Sequence, residues 1–242
     1  MHYLVRKIHL HFRQKPDKIL KQKRFNYCEL TIRHLERIQD ALKYVKRRYF
    51  NLAQMVEIRW HGRGGQGVKT AATMLAEAAL NEEKHSQGFP EYGPERMGAP
   101  VKGYTRLSEN PIVVHCSIQN PQVVVVLDET LLISENVTEG LIDGGKILVN
   151  TSLTPAEVRK HMKVNDNAKV FTINATQIAL DELKREIPNT PMVGALTRIA
   201  EVLKLETIEA DLKKKFGKKF RPEVVEGNLR AVRRAYNEVK GE

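Results

Sequence analysis

Cysteine is nearly missing. Cys28 and Cys116 are the two in 242 residues, too few for a disulfide framework, a four-thiolate zinc site or an iron–sulfur cluster held by this chain alone. Long apolar runs are missing too. The longest, Val123–Leu127, falls far short of the roughly 20 residues that a membrane-spanning helix needs. The start is basic, but no sustained apolar segment or small-residue cleavage site follows, so no secretory leader is expected. What is present is enough apolar material for a core, 41% of residues, which excludes whole-chain disorder. The expectation is a cytoplasmic protein with no metal centre of its own, one domain long with an appendage.

Charge is segregated. Residues 1–54 carry 14 of the 40 basic side chains and 4 of the 29 acidic ones, a net of +10, which leaves +1 for residues 55–242. The high pI therefore belongs to the first segment, and a basic face on the folded domain is not expected. Nucleic acid is accordingly not an expected partner of the domain. Leu35, Ile38, Leu42, Val45, Tyr49 and Leu52 recur at spacings of three and four, a heptad-like seam on one helix face. Arg33, Arg37, Lys43, Lys46, Arg47 and Arg48 occupy the other faces. Three readings stand: a docking helix for a partner or an anionic surface, an amphipathic helix lying on its own domain, or an upstream extension before a start at Met55. The organisation expected is a basic extension over 1–54 and one domain over 55–242.

From Met55 onward, strand-like runs alternate with helical patterns, which predicts a three-layer α/β/α fold with a mostly parallel sheet and a helical C-terminal third. Strands are expected at Val56–Trp60, Val123–Leu127, Lys146–Val149 and Lys169–Ile173. The continuous apolar run at 123–127 reads as a central strand buried on both faces. A pair at Val101–Leu107 and Ile112–Ser117, around a turn at Glu109–Pro111, would make the sheet mixed. Helices are expected at Val68–Asn81, Glu129–Glu139, the segment opened by Pro155, Ala175–Glu186, Met192–Leu203, Glu206–Phe216 and Pro222–Val239. Trp60 is expected in the core, Cys116 on a buried strand, and His61 as a structural strand-end residue.

The central feature is Trp60-His61-Gly62-Arg63-Gly64-Gly65-Gln66-Gly67-Val68-Lys69-Thr70, between a strand and a helix. Glycines there permit positive φ and close backbone approach. The helix start offers free N–H groups and a positive dipole end, an anion cradle, to which Arg63 could add charge. Gly62, Gly64 and Gly67 satisfy the dinucleotide fingerprint G-x-G-x-x-G. Glu91 is the nearest acidic residue for a ribose, and it sits in a Gly/Pro loop. The same stretch lies one residue from G-x-x-x-x-G-K-[ST]. The extra Val68 turns Lys69 by about 100° around the helix, away from phosphates held by such a loop.

A third reading comes from resemblance. His61–Gly67 resembles the opening motif of the gamma subunit of 2-oxoacid:ferredoxin oxidoreductases. Gln87-Gly88-Phe89-Pro90-Glu91-Tyr92-Gly93-Pro94-Glu95-Arg96-Met97-Gly98-Ala99-Pro100 is similar to that family's second signature. Val123–Glu129, Leu148–Thr151 and Ile187–Leu196 follow in order. The similarity covers 55–242 and looks closest to the pyruvate type, while 1–54 has no counterpart in it.

The resemblance implies a subunit inactive by itself. The complex would convert pyruvate, coenzyme A and oxidised ferredoxin to acetyl-CoA, CO2 and reduced ferredoxin, or run in reverse. It implies alpha, beta and delta partner subunits that hold thiamine diphosphate and iron–sulfur clusters, and ferredoxin as electron acceptor. For this chain it implies contact with coenzyme A and closure of the active-site region. Gly62, Arg63, Gly64, Gly65, Gln66 and Gly67 would then cradle the cofactor. Asn150 and Thr151, with Asn174, would meet an amide-rich arm at the carboxyl ends of the strands; as turn formers they need bind nothing. Glu91, Tyr92, Glu95 and Arg96 would gate the site or form the subunit boundary. Arg96 could equally pair internally with Glu91 or Glu95. Asn189 or Thr190 is expected to cap the helix that Pro191 opens. A free-standing nucleotide-binding protein using the same turn is the alternative.

Overall fold

The computed structural model describes residues 55–91, 97–162 and 166–242, together with Ile38. The chain divides into two units, Met1–Ala53 and Gln54–Glu242, and the fold that follows is that of the second. The heptad seam at 35–52 lies outside the described residues, apart from Ile38.

Strand β1 is Met55–Arg63, and the glycine turn leads from it into helix α1, Val68–Ala79. A 3-10 turn at Leu80–Glu82 precedes strands β2, His85–Pro90, and β3, Pro100–Ser108. There follow β4, Val123–Val126; the single turn α2, Leu131–Ser134; β5, Lys146–Asn150; and α3, Pro155–Lys160. Next come β6, Lys169–Ile173, and α4, Ala175–Leu183. Helices α5, Asn189–Ala200, α6, Leu205–Phe216, and α7, Pro222–Glu238, complete the C-terminal third before the short strand β7, Lys240–Gly241. None of the helices among the described residues is long and apolar enough to cross a membrane.

The strands form one mixed sheet in the order β2-β3-β1-β4-β5-β6-β7. β1, β4, β5 and β6 are parallel neighbours, with Trp60 opposite Val125, Val125 opposite Leu148, and Leu148 opposite Phe171. β3 runs antiparallel between β1 and β2, and β7 runs antiparallel to β6. Side chains alternate across the pleat. Ile58, Trp60, Val123, Val125 and Leu148 pack under α1 and the C-terminal helices. Val124, Val126, Ile147, Val149 and Val170 pack on the other face with Leu131 and Val158 of α2 and α3. That double cover is why 123–127 reads as an unbroken apolar run.

Small residues let α1 lie close on the antiparallel half. A Cβ on Gly88 would come within 2.8 Å of the Ala72 carbonyl oxygen, and one on Gly103 within 3.0 Å of Val68 Cγ1. Thr105 Oγ1 donates to the Ala72 carbonyl at 2.8 Å and accepts from Trp60 Nε1 at 3.0 Å. Trp60 is fully buried, as expected of the lone tryptophan.

Four expectations are corrected. The partner of 101–107 is not 112–117, which forms no strand. β3 is interior, and β1 and β2 already occupy both of its edges. The strand that takes the outer place, His85–Pro90, was not anticipated, because a sequence with a central glycine and few branched residues carries little strand signal. Cys116 is consequently exposed on a loop. The helix expected at 129–139 shrinks to Leu131–Ser134 and ends where Glu135 is extended; beyond it the carbonyls of Val137 (3.1 Å) and Glu139 (2.5 Å) accept from Arg59 Nη2.

Candidate functional site

The glycine turn closes the carboxyl end of β1. Gly62 is still within the ladder, opposite Val101, and a Cβ on it would meet Val68 Cγ2 at 2.5 Å. Gly65 (φ 102°) and Gly67 (φ 82°) adopt the left-handed backbone that favours glycine. Gln66 folds back on the turn: its Oε1 accepts from Arg63 N at 2.7 Å, and its Nε2 donates to Asp128 Oδ2 at 2.7 Å. Gly64 N donates to the Ala99 carbonyl (2.9 Å), and Gly98 N donates to the Gly64 carbonyl (3.1 Å). This two-bond zipper ties the turn to Gly98–Ala99, just before β3.

Arg63 is part of this scaffold. Its guanidinium donates to the Gly98 carbonyl at 3.2 Å and to Thr130 Oγ1 at 2.8 Å, and it pairs with Asp128 at 3.3 Å. Burial works to raise the Asp128 carboxyl. Hydrogen bonds from Thr130 and Gln66, with the Arg63 charge, outweigh it and hold the group below the ordinary carboxylate range.

Gln66 N also donates to the Arg63 carbonyl at 3.1 Å, so the N–H groups of Arg63, Gly64 and Gln66 are engaged. Gly65, Gly67, Val68 and Lys69 have no N–H partner among the described residues, and the first intrahelical bond is Ala71 N to the Gly67 carbonyl, 2.9 Å. Beside them opens a cleft of about 320 Å³, lined by the turn, Val68, Lys69, Pro90, Glu91, Val101 and Lys102. Lys69 brings positive charge to a helix N-terminus, which itself favours anions; Lys102, paired with His61 in the ladder, shares the face of the sheet on which His61 lies. Glu91 brings one negative charge, and Tyr104 Oη donates to its Oε2 at 2.5 Å. Burial, then that carboxylate, push the Tyr104 phenol well above its ordinary range.

The other candidates lie apart from this cleft. Asn150 is buried with its carboxamide fully engaged: Nδ2 donates to the Leu127 carbonyl (2.9 Å) and Thr176 Oγ1 (2.8 Å), and Oδ1 accepts from Thr176 N (3.1 Å). It latches β4, β5 and the start of α4 together. Thr151 hydrogen-bonds Glu129 and lines a second cleft of about 360 Å³ with Ser152, Asn174 and Lys240. Asn174 caps α4 through Gln177 N, 3.1 Å. Asn189 is the first residue of α5 rather than its cap: its Oδ1 accepts from Thr190 N at 2.7 Å, and its amide lies against Gly67. Tyr92, Glu95 and Arg96 lie outside the described residues.

His61 is buried under the opposite face of the sheet, where its Nε2 accepts from Arg59 Nε at 3.0 Å. Burial, with the charges of Arg59 and Lys102, drives its pKa down to about 3, so a neutral structural ring is what the fold holds. The dinucleotide reading loses its geometry: α1 leads to β2, and β3 separates β2 from β1. Sequence reasoning missed Lys102, Tyr104 and Arg59. Their signal is the period-two alternation of polar and apolar residues along β1 and β3.

The family model for pyruvate ferredoxin/flavodoxin oxidoreductase matches residues 57–238. Pyruvate synthase subunit PorC of Thermotoga maritima is 52% identical over 196 residues, 81% of this chain and 97% of that protein. The pyruvate/ketoisovalerate oxidoreductases common subunit gamma of Thermococcus litoralis is 44% identical over 182 residues, 75% of this chain and 96% of that protein. The crystal structure of pyruvate oxidoreductase subunit PORC from Thermotoga maritima matches with a TM-score of 0.69 at 47% identity, over 78% of this chain and 99% of that one.

Proposed function

The chain belongs to the pyruvate ferredoxin/flavodoxin oxidoreductase family, and on that premise we propose that it is the gamma subunit of a pyruvate-type 2-oxoacid:ferredoxin oxidoreductase. Its partners are alpha, beta and delta subunits, which supply thiamine diphosphate and the iron–sulfur clusters, with ferredoxin as acceptor. The complex converts pyruvate and coenzyme A to acetyl-CoA and CO2, or the reverse. The part we assign to this chain is to bind coenzyme A by its phosphates.

The observation that carries the coenzyme A role is the cleft beside the glycine turn. The N–H groups of Gly65, Gly67, Val68 and Lys69 are free of partners among the described residues, and Lys69 adds its charge beside them. A phosphate there would gain oriented N–H donors, a helix dipole and the Lys69 cation without reorganising the turn. Gln66, Asp128, Thr130 and Arg63 hold the turn in that shape and need not touch the ligand. Glu91 lines the cleft and the zipper between Gly64 and Gly98–Ala99 adjoins it; with Tyr92, Glu95 and Arg96 we assign it a role in closing the site or meeting a partner subunit.

The test is steady-state kinetics of the purified complex carrying Lys69→Glu. The expected result is a KM for coenzyme A raised by about tenfold or more, equivalent to ~1.4 kcal/mol, with the KM for pyruvate unchanged. Equal values for coenzyme A in variant and wild type would remove the phosphate role and leave the turn a structural joint.

A further inference from the structure

A further concavity, separate from the glycine cleft, lies among the helices. It is a groove of about 930 Å³ bounded by α1, the segment after α4, the end of α6 and the start of α7. Its floor includes Met74, Leu183, Ile187, Phe216, Phe220 and Val224. Ile187, Phe220 and Val224 are 36%, 48% and 43% exposed, and the Phe216 and Phe220 rings meet edge to face at 5.2 Å. Together they give the groove a continuous apolar floor that is open to water.

The rim is basic. Lys215 is held by Glu77 and Asp211, and Arg230 by Glu182 at 2.8 Å. Arg185, Lys218 and Lys219 have no carboxylate partner among the described residues. Against them stands Glu223, in the first turn of α7 where the helix dipole favours an acid. The groove thus pairs an apolar floor with an excess of positive charge.

We infer that this groove is a docking site for an acidic amphipathic helix of a partner subunit, an inference that rests on the subunit reading above. The α1 wall runs from Thr70 to Glu77, about 10 Å, or two turns of a docked helix. Apolar anchors of the partner at i, i+3 or i+4, and i+7 would fill the floor, and its acidic flanks would meet Arg185, Lys218 and Lys219. The steering charge sits at the rim, where it governs association rate and salt dependence more than final affinity.

The test uses the complex purified through a C-terminal tag on this chain. Phe220 is replaced by p-benzoylphenylalanine, the complex is irradiated, and the joined peptides are sequenced. In parallel, Lys218→Glu/Lys219→Glu and, separately, Arg185→Glu are purified, with thermal unfolding checked against wild type to show intact folding. The expected result is a cross-link into a net-acidic segment of a partner subunit with helical apolar spacing. The charge reversals should retain several-fold less partner at about 0.15 M salt, where screening is incomplete. Wild-type assembly matched by both charge variants, or a cross-link confined to this chain, overturns the docking site and leaves the subunit reading standing. A wild-type chain that purifies without partners overturns both.

Discussion

At the residue scale, His61 and Asp128 make opposite uses of the same strand ends. His61 is neutral because burial and the Arg59 charge disfavour its cation. Its folded pKa of about 3 lies below the ordinary 6.5. As pH falls from 6.5 toward 3, the unfolded chain therefore takes up a proton that the fold refuses, and stability drops across that window. The imidazole resonances of His61 should not titrate between pH 8 and 5; a midpoint near the ordinary value would show that the ring is not buried against Arg59. Asp128 is depressed from 3.8, so its stabilising contribution is complete above that value and is lost as pH falls through the folded pKa. Asp128→Asn should flatten the fall in urea midpoint between pH 5 and pH 3. The positive-φ glycines of the turn were legible in the sequence. Arg63 was legible only as a charge. That it would be tied to Gly98, Thr130 and Asp128 depends on strands brought together from distant parts of the chain.

At the element scale, regular pieces with strong local signals stood out and pieces made by neighbours did not. β6 has the expected bounds, Lys169–Ile173. α3 carries Pro155 and a reciprocal cap: the Thr154 side chain accepts from Glu157 N, and the Glu157 side chain accepts from Thr154 N. Thr154→Ala should lower unfolding stability by about 1 kcal/mol, measured by denaturant titration. β2 has no such local signature. Its strand character comes from Gly88 sitting under α1 and from pairing with β3, neither of which a single sequence displays. The helix crossing of α5 and α7 is set the same way. A Cβ on Gly194 would fall 2.4 Å from the Val232 carbonyl oxygen, backbone that cannot swing aside. Gly194→Ala should cost about 2–3 kcal/mol and lower Tm by about 5–10 °C. An unchanged Tm would mean that the helices do not cross so closely.

At the scale of the whole molecule, the sheet and the charge divide the chain differently. The parallel strands β1, β4, β5 and β6 bring the glycine turn, Asp128, Asn150 and Asn174 to one edge, and a mostly parallel sheet was enough to expect that. Their separation into two clefts with a buried latch between them could not be expected, because it depends on which side chains satisfy one another. Charge follows the chain's length instead. Residues 1–54 hold a net of +10 and residues 55–242 a net of +1, while Met55 is buried at the first rung of β1 against β3. If that rung is where the domain begins, a chain of residues 55–242 should keep the far-UV spectrum of the domain and unfold in one transition. It should also lose polyanion binding. The full chain should be retained on heparin with a steep salt dependence, and the shorter one only weakly, because few basic residues in excess remain to release counterions. Equal retention of both would place the binding charge on the folded domain, around Lys218 and Lys219, and would make the groove there a site for polyanions before it is a site for a partner's helix.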